Sequence, residues 1–295
     1  MLTRRTAIAS AASVFAQPRR RQPNFLFLLP DQWRPEWVPG NEKLPLKLRH
    51  IGALANRGVM FQRAVCASPL CAPSRACLAS GREYPNCGVH SNKNDYPLTL
   101  PTYYQRLRAA GYHVMGCGKI DLHKNTLEWG LDGKRLTEQW GFSDAIDNAG
   151  KMDAVRAGLE KPTDPYMAML HKRNLHKVHV DDMRGRKGYA ATYPTPLPDD
   201  AYCDNWISEN AKELLHRAPR NKPWHLVVNF TGPHNPMDIT RAMEGVCRGR
   251  EFPQPNRNTE HGEMVHVAIR QNYAAMCENI DARIGELLAE VERRG

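Results

Sequence analysis

The chain alternates short unbroken apolar runs with segments of helical period. Phe25-Leu26-Phe27-Leu28-Leu29, closed by Pro30-Asp31, is apolar throughout, which predicts a strand buried on both faces. Residues 113–118 and 225–230 predict two further strands. Between them, Pro45 to Arg57 carries apolar residues at 48, 51, 54 and 55, with Gly58 where a helix cap belongs. Residues 101–110 lead to Gly111 in the same way, and Asp200 to His216 sets Trp206, Ile207, Leu214 and Leu215 in helical spacing. The most regular stretch is Val265 to Arg294. There Ile269, Tyr273, Met276, Ile280, Ile284, Leu287 and Val291 recur at steps of three or four, and Gly295 follows. Strands alternating with helices predict an α/β domain with a mostly parallel sheet sandwiched by helices. Residues 148–198 are rich in Lys, His, Pro and Tyr without a clear period, and read as a loop-rich insertion over the strand ends.

Composition narrows this picture. With 41% apolar residues in 295, a packed core is affordable, so a disordered tail or fibre is excluded. No run approaches the ~20 apolar residues of a membrane-spanning helix, so no membrane span is expected. The net charge of +10 favours an anionic partner: nucleic acid, acidic lipid, or a phosphate or sulfate ester. The basic residues are scattered and no aromatic-rich nucleic-acid motif occurs, so nucleic acid is not the expected partner, and a basic polyanion-binding protein is kept only as an alternative.

Residues 1–16 place Arg4-Arg5 before a short, mildly apolar run, with Val14 and Ala16 small enough for cleavage after Ala16. This reads as a twin-arginine export signal, followed by a basic linker over 17–22 and the folded chain over 23–295, and implies a periplasmic or secreted protein. The eight cysteines include no C-x-x-C pair, so a zinc ribbon or thioredoxin-like site is unsupported, and the spacing does not say which would pair after export. His171, His176, His179, Asp181 and Asp182 read as a solvated basic loop rather than a metal site. Walker, G-x-G-x-x-G, G-x-S-x-G and H-E-x-x-H motifs are absent.

Residues 71–81 read Cys-Ala-Pro-Ser-Arg-Ala-Cys-Leu-Ala-Ser-Gly. Pro73 suits the first position of a helix, so free amides and the positive helix end would point toward Cys71. With Leu78 and Gly81, this segment resembles the C-x-P-S-R motif of the sulfatase family, within the alkaline phosphatase superfamily. The resemblance implies an alkaline-phosphatase-like fold and a Cys71 that a formylglycine-generating enzyme oxidises to formylglycine. An aldehyde there would hydrate to a geminal diol. One hydroxyl attacks sulfur, and the other then loses its proton as sulfate is expelled, so one hard displacement becomes two easier steps. Arg75 would add a fixed cation.

Other stretches resemble the same family. The segment 23–32 is similar to its first strand, implying Asp31, Gln32 and the modified Cys71 as ligands of Ca²⁺ or Mg²⁺, since hard oxygen donors suit those ions. Gly118 to His123 is similar to G-K-W-H-L-G, which makes Lys119 the sulfate contact; the family's histidine position holds Asp121, and His123, two residues on, would face the same side if this segment is extended and is then a candidate substitute, the alternative being a solvated loop histidine. Thr231-Gly232-Pro233-His234-Asn235-Pro236 is similar to P-H-x-P, which makes His234 the proton donor to the leaving alcohol. Residues 273–295 are similar to the helix before the family's second set of metal ligands. Those ligands, a further lysine and a smaller domain are expected beyond residue 295, so the chain is expected to be an N-terminal part, incomplete at the C-terminus, that binds Ca²⁺ weakly or not at all. The implied function is hydrolysis of a small-molecule or carbohydrate sulfate ester. The alternatives are a phosphonate or phosphate-diester hydrolase of the same superfamily, and an inactive sulfatase fragment.

Overall fold

The computed structural model describes residues 22–254 and 262–295. The export signal and most of the basic linker lie outside the described residues. Four strands form one parallel sheet: β1 (Phe25–Asp31), β2 (His113–Gly118), β3 (Asp144–Asp147) and β4 (Trp224–Pro233), in the order β1-β4-β2-β3. Side chains alternate across β4: Leu226, Val228 and Phe230 enter one core, and Val227 enters the other. The first core packs against helices α5 (Pro165–Lys172), α6 (His176–Gly185), α7 (Cys203–Arg217) and α9 (Glu263–Arg294), while α8 (Arg241–Cys247) packs in a separate cluster against the first half of α9. The second packs against α2 (Cys71–Ser80) and α3 (Tyr103–Ala109). Helices thus cover both faces, as the alternation of strands and helices predicts.

Three expectations are revised. The run 25–29 is not buried on both faces: β1 pairs only with β4 among the described strands, its residues are half-buried, and Phe25 is 44% exposed. The segment 148–198 is not loop-rich. It holds α4 (Lys151–Ala157), α5 and α6, and it places Tyr166, Met167, Leu170, Val180 and Met183 in the core at 1% exposure or less. Its apolar residues are too few per turn to show a period, but short helices need only one buried edge each. The supposed solvated histidines divide accordingly. His171 stacks on His176, whereas His179 lies buried against Tyr166. The strand β3 was not visible because four residues, two of them Asp, carry no apolar run.

Helix α1 (Arg49–Arg57) shows how remote residues finish local structure. Leu48 at its N-cap offers no side-chain oxygen. The Asp281 carboxylate on α9 accepts instead from the His50 and Ile51 amides, at 3.1 and 2.7 Å.

Two buried histidines give the fold an acid limit. Burial pushes the His179 and His225 imidazoles down to about 4. A histidine whose folded pKa is depressed contributes its stability fully above the unfolded value near 6.5, and loses it as pH falls toward the folded one. Each should therefore cost about 3 kcal/mol between pH 6.5 and 4. Denaturant unfolding across that range should show His179→Leu losing markedly less stability on acidification than the parent; parallel curves would contradict this.

Candidate active site

The C-terminal ends of the parallel strands converge on one cavity of about 490 Å³, where open α/β sheets bind ligands. Cys71, Lys119, Lys124, Lys151, Thr231 and His234 are among the groups that line it. Asp31 ends β1 beside it. Asp31 makes a direct ion pair with Lys119, lies 3.9 Å from the Arg75 guanidinium, and is 3.9 Å from Cys71 Sγ. Burial alone would raise the Asp31 carboxyl, but Lys119 and Arg75 outweigh it and hold the group below the usual carboxylate range. Lys119 lies on the sharp exit from β2, and its ammonium, although buried, is raised above its ordinary value by Asp121 and Asp31.

Cys71 opens α2 as its first residue, so Pro73 is the third helical residue rather than the first. Fewer amides are free than the sequence suggests. The Ala72 amide donates to Asn92 Oδ1 at 3.1 Å, Pro73 has none, and Ser74 closes the first helical bond to the Leu70 carbonyl. The cations and the helix dipole carry most of the positive bias at Cys71. Gly81, in the left-handed region, ends the helix.

His234 follows β4. Asp204 on α7 shapes that strand end by accepting from the Thr231 amide at 2.7 Å, its hydroxyl at 2.9 Å and the Gly232 amide at 3.1 Å. His234 Nδ1 donates to the Asn235 carbonyl at 2.6 Å; a carbonyl can only accept, so in the neutral ring Nε2 keeps its lone pair. Burial pushes the imidazole below its ordinary pKa.

Asp31, Cys71 and His234 each offer one atom, all within 4.8 Å of one another. The structure thus joins Asp31, Cys71, Arg75, Lys119 and His234, drawn from four separate segments. It does not bring in His123, which is 1% exposed, pairs with Asp147 at 2.9 Å and packs between Trp129 and Trp140. The alternation of a strand does not hold there, because Asp121 adopts φ 59°. Gln32 is exposed at φ 60°, and its carbonyl accepts from the Tyr273 hydroxyl at 2.8 Å.

The Sulfatase family model matches residues 23–295. The chain belongs to the sulfatase family. It is 21% identical over 238 residues to an arylsulfatase of Clostridium perfringens, covering 79% of this chain and 48% of that protein. It is 31% identical over 226 residues to an ulvan-active sulfatase of Formosa agariphila, covering 76% of this chain and 38% of the relative. Its fold is similar to a phosphonate monoester hydrolase of Agrobacterium radiobacter, with TM-score 0.72 and 18% identity over 93% of this chain and 60% of that one. The chain spans about half the length of curated relatives such as the arylsulfatase and a choline-sulfatase of Rhizobium meliloti, at 48% and 54%. No helix among the described residues is long and apolar enough to cross a membrane.

Among the described residues of this sulfatase chain, the donor set does not complete a site for Ca²⁺ or Mg²⁺. Such ions take six or more oxygens. Among the described residues, Asp31 is the only carboxylate in the Asp31–Cys71–His234 group, and Lys119 and Arg75 already neutralise it. Reading the sequence also missed several contributors. Asn229 on β4 accepts from Arg75 at 2.8 Å and fixes its guanidinium. Lys124, Lys151 and Asp153 line the cavity from segments without motif signal. Their only clue was charge, which a basic loop displays equally.

Proposed function

We propose that this chain is the nucleophile-bearing part of a sulfate-ester hydrolase. The observation that carries the reading is the placement of Cys71 at a helix start, beside Asp31 and within a cavity lined by Lys119 and His234. Formylglycine formed from Cys71 would supply, when hydrated, an oxygen nucleophile at that point. Arg75, fixed by Asn229, and Lys119 provide positive charge beside the position where sulfuryl oxygens would lie. His234 faces the leaving alcohol. It must carry a proton to act as the acid, and the negative charge of a bound sulfate ester would raise its depressed pKa.

The substrate would be a small-molecule or carbohydrate sulfate, and export to the periplasm or beyond would follow from the residue 1–16 signal. A Ca²⁺ or Mg²⁺ ion at Asp31 and Gln32 would need donors that these described residues do not supply. A phosphonate or phosphate-diester substrate would meet the same charges, so turnover of a sulfate monoester against a phosphate diester by the full-length protein decides between them.

The direct test is mass spectrometry of the tryptic peptide Ala64 to Arg75, from protein co-expressed with a formylglycine-generating enzyme. The expected mass is that of the thiol replaced by an aldehyde. An unmodified thiol in most molecules would overturn the reading. In the full-length protein, Cys71→Ala should lower sulfate-ester turnover by about a thousandfold or more.

A further inference from the structure

Asp121 stands where the family pattern has histidine, and the buried His123 does not replace it. The structure offers another solution at the same position. Asp31, Lys119, Asp121, Lys124, Asp153 and Arg156 form an unbroken chain of alternating charge from the centre of the site to its rim. Asp121 is its middle link. One oxygen, Oδ2, lies 3.4 Å from Lys119 Nζ and 3.1 Å from Lys124 Nζ. The two ammonium groups are therefore neighbours, and both side chains line the cavity.

We propose that Lys124, held by Asp121 and Asp153, is a second oxyanion-binding cation that contacts the sulfuryl group beside Lys119. This rests on the reading of the cavity as a sulfate-ester site. A lysine ammonium has three donors. On Lys124, Asp121 Oδ1 and Oδ2 accept at 3.4 and 3.1 Å and Asp153 Oδ2 at 2.5 Å; one N–H shared between the two oxygens of the Asp121 carboxylate leaves a donor for a ligand. The Asp121 side chain is fully covered whereas that of Lys124 is 11% exposed, so the carboxylate sits behind the ammonium rather than in the cavity. A tetrahedral anion presents several oxygens, and two adjacent ammonium groups match two of them. Neighbouring cations do not fill this role. Lys151 is held by Asp238 at 2.7 Å, the Tyr202 hydroxyl at 3.1 Å and Met276 Sδ at 4.0 Å with its side chain only 3% exposed against 11% for Lys124, and the Arg156 side chain is 68% exposed at the rim. The left-handed backbone of Asp121, uncommon for a residue with a Cβ, fits a side chain held from two sides by cations.

Calorimetric titration of the chain with sodium sulfate tests this. Lys124→Gln should weaken sulfate binding by about tenfold or more, and Lys124→Arg should retain most of it. Because Lys124→Gln leaves Asp153 and Asp121 each short of a partner, the pair Asp153→Asn with Lys124→Gln is measured alongside; it removes one charge of each sign and leaves Asp121 paired with Lys119, so it should melt near the parent and still bind sulfate at least about tenfold more weakly. Sulfate affinity equal to the parent in either variant would overturn the role of Lys124 and leave the sulfatase reading intact. No saturable sulfate binding by the parent chain would overturn the oxyanion reading of the cavity, and the proposal with it.

Discussion

Gly118→Ala is expected to cost more than about 4 kcal/mol, enough to leave the protein largely insoluble or molten. Gly118 ends β2 at φ +93°, and a Cβ there would lie 2.0 Å from the Asn229 carbonyl oxygen and 2.8 Å from its carbon. The obstacle is backbone of the neighbouring central strand, paired in register, and it cannot move aside without breaking the β2–β4 ladder. The same carbonyl also accepts the Lys119 amide at 3.0 Å, so the close approach is what turns Lys119 toward Asp31. Gly81→Ala is the matched control: its φ of +66° is equally left-handed, but nothing lies within 4 Å of the added methyl, so about 1 kcal/mol is expected. Thermal unfolding of the two variants separates steric exclusion from backbone preference. Similar melting points for both would mean that the two strands do not approach as described.

Lys119→Met should cost about 3–5 kcal/mol at neutral pH, through the carboxylates it abandons. Lys119 is 4% exposed and lies between Asp31 and Asp121. Burial raises the Asp121 carboxyl, but Lys119 and then Lys124 more than reverse this and bring it down to about 2. In the parent, a carboxylate with a depressed folded pKa contributes stability above the unfolded value of 3.8 and loses it as pH falls toward 2. Removing Lys119 takes away the largest downward influence, and burial then favours the neutral acid. The deficit of the variant relative to the parent should accordingly shrink as pH falls from 7 to 5. Urea unfolding at both pH values checks it, and a deficit that is constant or widens on acidification would refute the assignment of Lys119 as the partner of these acids.

The alternation of apolar runs and periodic segments carried the α/β class, β2, β4 and the long terminal helix, because burial selects those patterns directly. The segment after Cys71 likewise reported the start of its own helix. Other features depended on neighbours. Whether β1 is central or at an edge is a matter of strand order, which no local pattern encodes, and its half-buried state follows from its pairing, among the described strands, with β4 alone. The 148–198 helices escaped notice because each buries only a few residues.

The site divides along the same line. Asp31, Cys71, Arg75, Lys119 and His234 were legible because each stands in a short motif at the end of a strand or the start of a helix. Their mutual distances, the Asn229 support behind Arg75 and the Asp204 clasp on the strand that carries His234 were not. Lys124 in place of His123 could come only from the tertiary structure. A left-handed residue at 121 reverses the expected side-chain direction, burying the histidine with Asp147 and turning the lysine into the cavity. Sequence alone thus named the groups proposed to carry the chemistry. Packing of remote segments decided which of them meet, because charge pairing and burial are properties of positions in space rather than of spacing along the chain.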